Sequence, residues 1–306
     1  MARQIGGLQA RLEYTGVQGV VSLLRALPID LAIKVGAQFG AIAMEFDRPN
    51  RPIALKNLQI AFPEITLGAR MDIVRRMYRN WGRMMAEWAH LDLLDRSTIE
   101  RFVTYEGKQH WDDAERVSGG KGLLVLTAHF GNWELLNVAH SIYGNKIAII
   151  HRPLRNPLID DAVCAARNRF GNKTIERKSG GIETMRLLRK NWMVGVALDL
   201  DVRKGVFVDF FGLHASTSDA VARLARATGA PVVPCFLVRQ GEGAQHKIAI
   251  KPMVELADSG NRDRDAFENT ERFVKAIEQE IRAYPDHWNW IHRRWKTRPP
   301  GEERFY

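Results

Sequence analysis

The chain has 306 residues, 45% of them hydrophobic, which is ample to bury a core within a single α/β unit. Its net charge of +10 attracts polyanions such as nucleic acid, anionic lipid headgroups or an acidic protein, without choosing among them. Two cysteines, Cys164 and Cys235, lie in apolar surroundings; they read as small buried hydrophobes, not as a disulfide or metal pair. That usage points to the cytoplasm or the cytoplasmic face of a membrane.

In chain order, Arg11 and Glu13 interrupt the N-terminus before a secretory apolar segment can form. Two apolar runs follow, Thr15–Leu24 and Val35–Met44, each shorter than the roughly 20 residues that span a bilayer. They are expected to be helices that lie on a membrane interface or pack on another surface. Residues 1–50 are therefore expected to form a membrane-associating attachment and 51–306 the catalytic domain. Apolar residues recur at helical spacing from Pro52 to Leu94, with Pro63 dividing two helices. After Gly119 the pattern changes. Leu123–Thr127, Lys146–Ile150, Met193–Leu198, Val232–Val238 and Lys247–Ile250 read as strands. Asn132–Tyr143, Pro157–Phe170, Gly181–Lys190, Thr217–Thr228 and Arg264–Ala283 read as helices between and after them. The expected fold class is α/β, a mixed central sheet flanked by helices, with a helical N-terminal region.

The segment from Thr127 to Glu134, TAHFGNWE, concentrates the chemistry. His129 follows a buried strand, where open α/β sheets bind their ligands. Gly131 permits a tight turn, and Asn132 suits the N-cap of the next helix, leaving amide donors nearby for an oxyanion. Across that turn, Glu134 can approach the imidazole, fix its tautomer and offset the charge formed when His129 takes a proton. No Gly-x-Ser-x-Gly elbow is present, and the helical His-Glu-x-x-His zinc pattern is missing, so neither a serine nucleophile nor a metal is expected. Gly119-Gly120-Lys121-Gly122 lacks the earlier glycine and the Ser or Thr of a phosphate loop. Arg152, Arg155, Arg167 and Arg169 are candidates for holding phosphate groups, which guanidinium forks suit. Asp199 and Asp201, after another strand, could bind hydroxyls or pair with an arginine. The stretch Trp288–Arg298 interleaves tryptophan with basic residues. It suits an anionic membrane, single-stranded nucleic acid, or a tail whose tryptophans pack inward. With no helix-turn-helix, zinc or aromatic-sheet signature, nucleic acid is not the expected partner.

Taken together, His129-x4-Glu134, His151-Arg152-Pro153, Asp199-Leu200-Asp201, the segment GVFVDFFG (205–212) and the ending WIHRRWKTRP (290–299) resemble the lipid A biosynthesis late acyltransferases. Lys56-Asn57-Leu58, with Phe62-Pro63-Glu64, is similar to that family's early helical block, so the resemblance covers nearly the whole chain. Asp209 stands where the family usually has proline. The resemblance implies a lauroyl- or myristoyl-type transferase of the cytoplasmic face of the bacterial inner membrane. It implies an acyl carrier protein thioester as donor, a lipid A precursor as acceptor, and no cofactor. It maps the family's His-x4-Asp/Glu motif onto His129 and Glu134, and substrate-binding positions onto Arg152, Arg167, Asp199 and Asp201. The phosphatidylinositol mannoside acyltransferases share the core motif and use acyl-CoA, which leaves a second acceptor class open.

Overall fold

In the computed structural model, residues 6–176 and 180–306 are described. Four helices open the chain: α1 (Gly7–Arg25), α2 (Ile29–Phe46), α3 (Arg51–Ala61) and α4 (Leu67–Ala89). Strands and helices then alternate through β1 (Val103–Glu106), α5 (Lys108–Ser118), β2 (Leu124–Thr127), α6 (Trp133–Ile142), β3 (Ile147–His151), α7 (Pro157–Asn168), β4 (Lys173–Glu176), α8 (Gly180–Leu188) and β5 (Met193–Ala197). A hairpin of β6 (Val206–Phe210) and β7 (Leu213–Thr217) follows. After it come α9 (Ala220–Thr228), β8 (Val232–Arg239), β9 (His246–Ile250) and α10 (Arg262–Ala283).

The central sheet has the order β1-β9-β8-β2-β5-β3-β4. The run β8-β2-β5-β3-β4 is parallel throughout, and β9 joins it antiparallel. The strands read as unbroken apolar runs because both faces are covered. Successive residues of β2 and of Leu123 just before it alternate between them: Leu124 and Leu126 belong to the cluster of Leu187, Val221 and Phe273, while Leu123 and Val125 belong to that of Trp111, Leu135 and Val138. Mixed α/β architecture with a mostly parallel sheet is therefore the fold, in line with the sequence.

The β6–β7 hairpin, β1 with α5, and β4 escaped the sequence reading. Only Ile175 of β4 is buried, so no apolar run marks it. The hairpin hides its turn: Phe211 and Gly212 carry φ of 58° and 79°, a two-residue primed turn with phenylalanine where asparagine or glycine is usual. Glu278 holds that turn by accepting the Phe211 amide at 2.9 Å. The last helix of the first third ends at Ala89, five residues before the expected Leu94, and a 3-10 turn over Leu91–Leu93 replaces its end.

Helices α2 and α4 cross at backbone contact. A Cβ added at Gly36 would lie 2.3 Å from the Gly82 carbonyl oxygen, and one at Gly40 2.0 Å from that of Tyr78. Glycine at these positions is thus a packing requirement, and α2 is built into the molecule. Its outer face is different. Leu31, Phe39, Ile42 and Phe46 on α2, and Leu8, Leu12, Val20 and Leu23 on α1, recur every three, four or eight residues and are exposed, Leu8 by 75% and Phe46 by 79%. No helix among the described residues is long and apolar enough to cross a membrane. Asn156 ties α1 to the rest: its Nδ2 donates to the Ala10 carbonyl at 2.9 Å, while its Oδ1 caps α7.

Candidate active site

His129 leaves β2 at the carboxyl edge of the sheet, and Asp199 follows the adjacent strand β5. Parallel pairing of these strands brings two residues 70 positions apart into contact. Asp199 Oδ1 lies 2.9 Å from His129 Nδ1, and Oδ2 accepts the His129 amide at 3.0 Å and the Trp288 indole N–H at 2.8 Å. A carboxylate only accepts, so Nδ1 carries the proton and Nε2 keeps its lone pair. The Asp199 side chain is 1% exposed and that of His129 28%. Burial alone would push the imidazole pKa down, but the charge and hydrogen bond of Asp199 outweigh it and raise the value above the ordinary 6.5. The Asp199 carboxyl shows the converse: burial raises it, and His129 and Trp288 together hold it well below the usual carboxylate range.

Glu134 does not meet the imidazole in a hydrogen bond, contrary to the expectation from spacing. It sits in the first turn of α6 and forms a two-pronged pair with Arg167 of α7, Nε to Oε2 at 2.8 Å and Nη2 to Oε1 at 2.6 Å. The reason is geometric. The helix begins at Trp133, so its first turn aims Glu134 toward α7, while the ring is claimed by the strand next door. Arg167, not Arg169, faces the site; Arg169 is exposed over the Phe170 ring. Burial lowers the Arg167 pKa and Glu134 more than restores it. Arg167 Nη1 also lies 3.0 Å from His151 Nδ1, and His151 Nε2 lies 2.8 Å from Asp160 Oδ1. With a guanidinium donating to Nδ1, the His151 proton sits on Nε2 and faces Asp160. His151, Asp160 and Cys164 offer ligand atoms within 4.8 Å of one another, but in this tautomer the ring has no free lone pair for a cation.

The other residues singled out from sequence fall in separate places. Gly131 has φ of 57°, and an added Cβ would lie 2.0 Å from the Leu237 carbonyl oxygen. Its amide is already used, donating to the His287 carbonyl at 2.8 Å. Asn132 is the N-cap of α6, accepting from the Leu135 amide at 3.0 Å. Its Nδ2 donates at 2.8 Å to the buried Glu87, which also binds Arg239 and His246. Trp133 and Glu134 open the helix, so their amides have no acceptor within it. Arg152 is exposed on the loop after β3. Asp201 faces the C-terminal segment, accepting from the amide and hydroxyl of Thr297 at 3.0 Å each.

That segment packs inward. Trp288, Trp290, Trp295 and Arg294 are fully buried, while Arg293 and Lys296 are exposed. It grips the His129 turn directly: the Asn289 amide donates to the His129 carbonyl at 3.0 Å, and Phe130 pairs with Trp288 in an isolated bridge. These anchors had no signal in the local spacing, because they lie some 160 residues from the turn they hold.

A partly exposed imidazole is thus set against a buried carboxylate at the carboxyl edge of a parallel sheet, where open α/β folds bind their ligands. The model of the bacterial lipid A biosynthesis acyltransferases matches residues 8–297, and the chain belongs to that family. It is 29% identical to the lipid A biosynthesis palmitoleoyltransferase of Escherichia coli K12, covering 94% of this chain and 92% of that protein. It is 29% identical to the lauroyltransferase of the same strain, covering 96% and 94%. To the myristoyltransferase of that strain it is 26% identical, covering 88% and 82%. The protein is accordingly an enzyme of acyl transfer in lipid A biosynthesis.

Proposed function

We propose that the protein transfers a fatty acyl chain from an acyl carrier protein thioester to a hydroxyl of a lipid A precursor at the cytoplasmic face of the inner membrane. The observation that carries this reading is the His129–Asp199 pair, in which Nε2 has no hydrogen-bond partner among the described residues. The acceptor hydroxyl attacks the thioester carbonyl carbon while His129 Nε2 takes its proton, and Asp199 stabilises the imidazolium that forms. The oxyanion is met by the first-turn amides of Trp133 and Glu134 and by the positive end of α6. Collapse expels the carrier thiolate, which recovers the proton from His129, leaving an ester and a free thiol. Glu134 holds Arg167 at the rim. With Arg152 on the neighbouring loop, Arg167 is the phosphate-binding group, since guanidinium forks suit phosphate oxygens.

The test is transfer by purified protein from labelled acyl carrier protein to a tetra-acylated lipid A precursor. Product only with another glycolipid or only with acyl-CoA would move the protein to the phosphatidylinositol mannoside type of acceptor.

Two further outcomes are expected. Glu134→Gln leaves Arg167 without its counter-charge at a site where each side chain is only 12% exposed. It should cost about 2 kcal/mol in urea unfolding and raise KM for the acceptor. Unchanged stability and KM would make the pair dispensable. The uncovered stripes on α1 and α2 are the membrane contact in this reading, flanked by exposed Arg11 and Lys34. Because α2 packs on α4 through glycine, substitution is a cleaner probe than truncation. Leu8→Ser, Leu12→Ser, Phe39→Ser and Phe46→Ser together should release the protein from sedimenting anionic vesicles; unaltered sedimentation would place attachment elsewhere.

A further inference from the structure

A helix cap needs one acceptor, and serine, threonine or aspartate would serve α6 as well as the asparagine found at 132. What asparagine adds is a pair of donors. Asn132 Oδ1 accepts the Leu135 amide at 3.0 Å, while Nδ2 donates to Glu87 Oε2 at 2.8 Å. The residue is only 3% exposed, so both of its polar groups are spent inside the protein. Glu87, on α4, is itself held from several directions. Arg239 of β8 donates to both its oxygens, Nη1 to Oε1 at 2.5 Å and Nη2 to Oε2 at 2.9 Å, and His246 Nε2 of β9 donates to Oε1 at 2.8 Å. Burial alone would raise the Glu87 pKa, but these donors bring it down to about 2, so Asn132 meets a carboxylate at every working pH. The Arg239 amide donates to His287 Nε2 at 3.1 Å, and the His287 carbonyl accepts the Gly131 amide at 2.8 Å. A closed circuit of hydrogen bonds therefore runs from Glu87 through Arg239 and His287 to Gly131, and back through Asn132 to Glu87.

We propose that Glu87 is a positioning residue for acyl transfer, which through Asn132 fixes the first turn of α6 relative to His129. The proposal rests on the reading of the Trp133 and Glu134 amides as the partners of the oxyanion. Those amides point wherever the start of α6 points, and the first turn of a helix is its least restrained part, since its N–H groups have no acceptor within the helix. The His129 end of the turn is held by Asp199 on its amide and by Asn289 on its carbonyl. The helix end is held by Glu87. One planar side-chain amide joins the two sides there, with Oδ1 on the helix and Nδ2 on a carboxylate that cannot rotate without breaking its bonds to Arg239 and His246. A donor fixed in advance needs no reorientation as charge develops, and a misplacement of about 1 Å can cost on the order of 10²-fold in rate. Capping α6 does not require Glu87, and compensating Arg239 does not require Asn132. The bond between them is left over from both structural tasks, and it lies three residues from His129 in the chain.

The test separates the tether from the cap. Asn132→Ser keeps an oxygen for the Leu135 amide but is too short to reach Glu87, whose bonds to Arg239 and His246 stay in place. In the folded variant kcat should fall by about 10–100-fold, with KM for donor and acceptor within about twofold of the wild type. Glu87→Gln must keep its oxygen toward His246, which turns an NH₂ group against that of Asn132 and should lower kcat likewise. Combined with Asn132→Asp it reverses the bond: the new amide donates to the new carboxylate, whose other oxygen still caps Leu135. The double variant should recover kcat to within about threefold of the wild type, a coupling that two independent structural losses do not produce. The amide resonances of Trp133 and Glu134 in NMR read the turn without turnover; they should move in Asn132→Ser and return toward the wild type in the double variant. A wild-type kcat in Asn132→Ser, or a loss that the double variant leaves unrepaired, would overturn the proposal and leave Glu87 a support for the fold. If Glu87→Gln does not fold, Asn132→Ser decides alone. Absence of transfer by the wild type from every donor would instead remove the functional reading, while displaced amides in Asn132→Ser would still report the tether.

Discussion

Replacing His129 with alanine is expected to lower acyl transfer by about 10²–10⁴-fold, with little change in fold. In the proposed reaction the thioester is already an activated donor, so the barrier left to address is the weak nucleophilicity of a neutral hydroxyl. Of the two ring nitrogens, Nε2 is the one that could relieve it, since Nδ1 is committed to Asp199. Activity that remains would come from substrate binding and from the amides of the first turn of α6. The fold should persist because the backbone anchors of the turn are independent of the ring: the His129 amide still donates to Asp199, and its carbonyl still accepts from Asn289. Losing the Nδ1 hydrogen bond to a buried carboxylate should cost about 1–3 kcal/mol, read as a lowered urea midpoint. Transfer at the wild-type rate in the folded variant would remove His129 from the mechanism.

The parts of this site that were legible in the sequence are those set by local rules. Leu123–Thr127 announced a buried strand, Gly131 a turn and Asn132 a helix cap; the strand is found over Leu124–Thr127, and the other two in their expected roles. Spacing also drew attention to Glu134, but could not say where it points. A carboxylate in the first turn of a helix faces whatever the neighbouring helix presents, and here that is Arg167. The partner of the ring was invisible for a related reason. Asp199 reaches His129 only because β2 and β5 are adjacent in the sheet although β3 and β4 separate them in the chain. Strand order is a property of the whole fold, and no window of sequence contains it. The C-terminal stretch shows the same limit. Its tryptophans and arginines suit a lipid headgroup region as composition, yet Trp288, Trp290, Trp295 and Arg294 lie entirely inside. The basic residues that remain at the surface there, Arg293 and Lys296, are the ones with no role in gripping the turn.

The site thus depends on three remote segments meeting at one edge. β2 carries the imidazole, β5 the carboxylate, and the chain after α10 locks both by indole, amide and guanidinium contacts. Helix α1, whose apolar stripe faces outward, is joined through Asn156 to α7, which carries Arg167. In the proposed reading, a membrane-bound acceptor would meet these helices and Arg167 on connected elements. Glu134 holds Arg167 in a two-pronged pair, and its influence on His129 is through space.

Asp199→Asn is expected to reduce transfer by roughly 10³–10⁴-fold, for a reason that can be followed atom by atom. In the wild type, Oδ2 accepts two hydrogen bonds, from the His129 amide and from the Trp288 indole. An asparagine must keep its oxygen at that position, because an NH₂ group there would face two donors. Its NH₂ group is therefore turned toward Nδ1 of His129, which must become the acceptor. The ring proton moves to Nε2, and the nitrogen facing the substrate can no longer take a proton from the hydroxyl. The pH dependence should change with it. In the wild type the His129 pKa lies above 6.5, so kcat/KM should fall as pH drops through a midpoint above that value. In Asp199→Asn, burial is no longer offset and the imidazole loses its counter-charge, so the small residual activity should fall off only at a lower pH. The two signatures separate a tautomer effect from misfolding. A large rate loss with the acidic midpoint unmoved would mean that Asp199 supports the turn without tuning the ring.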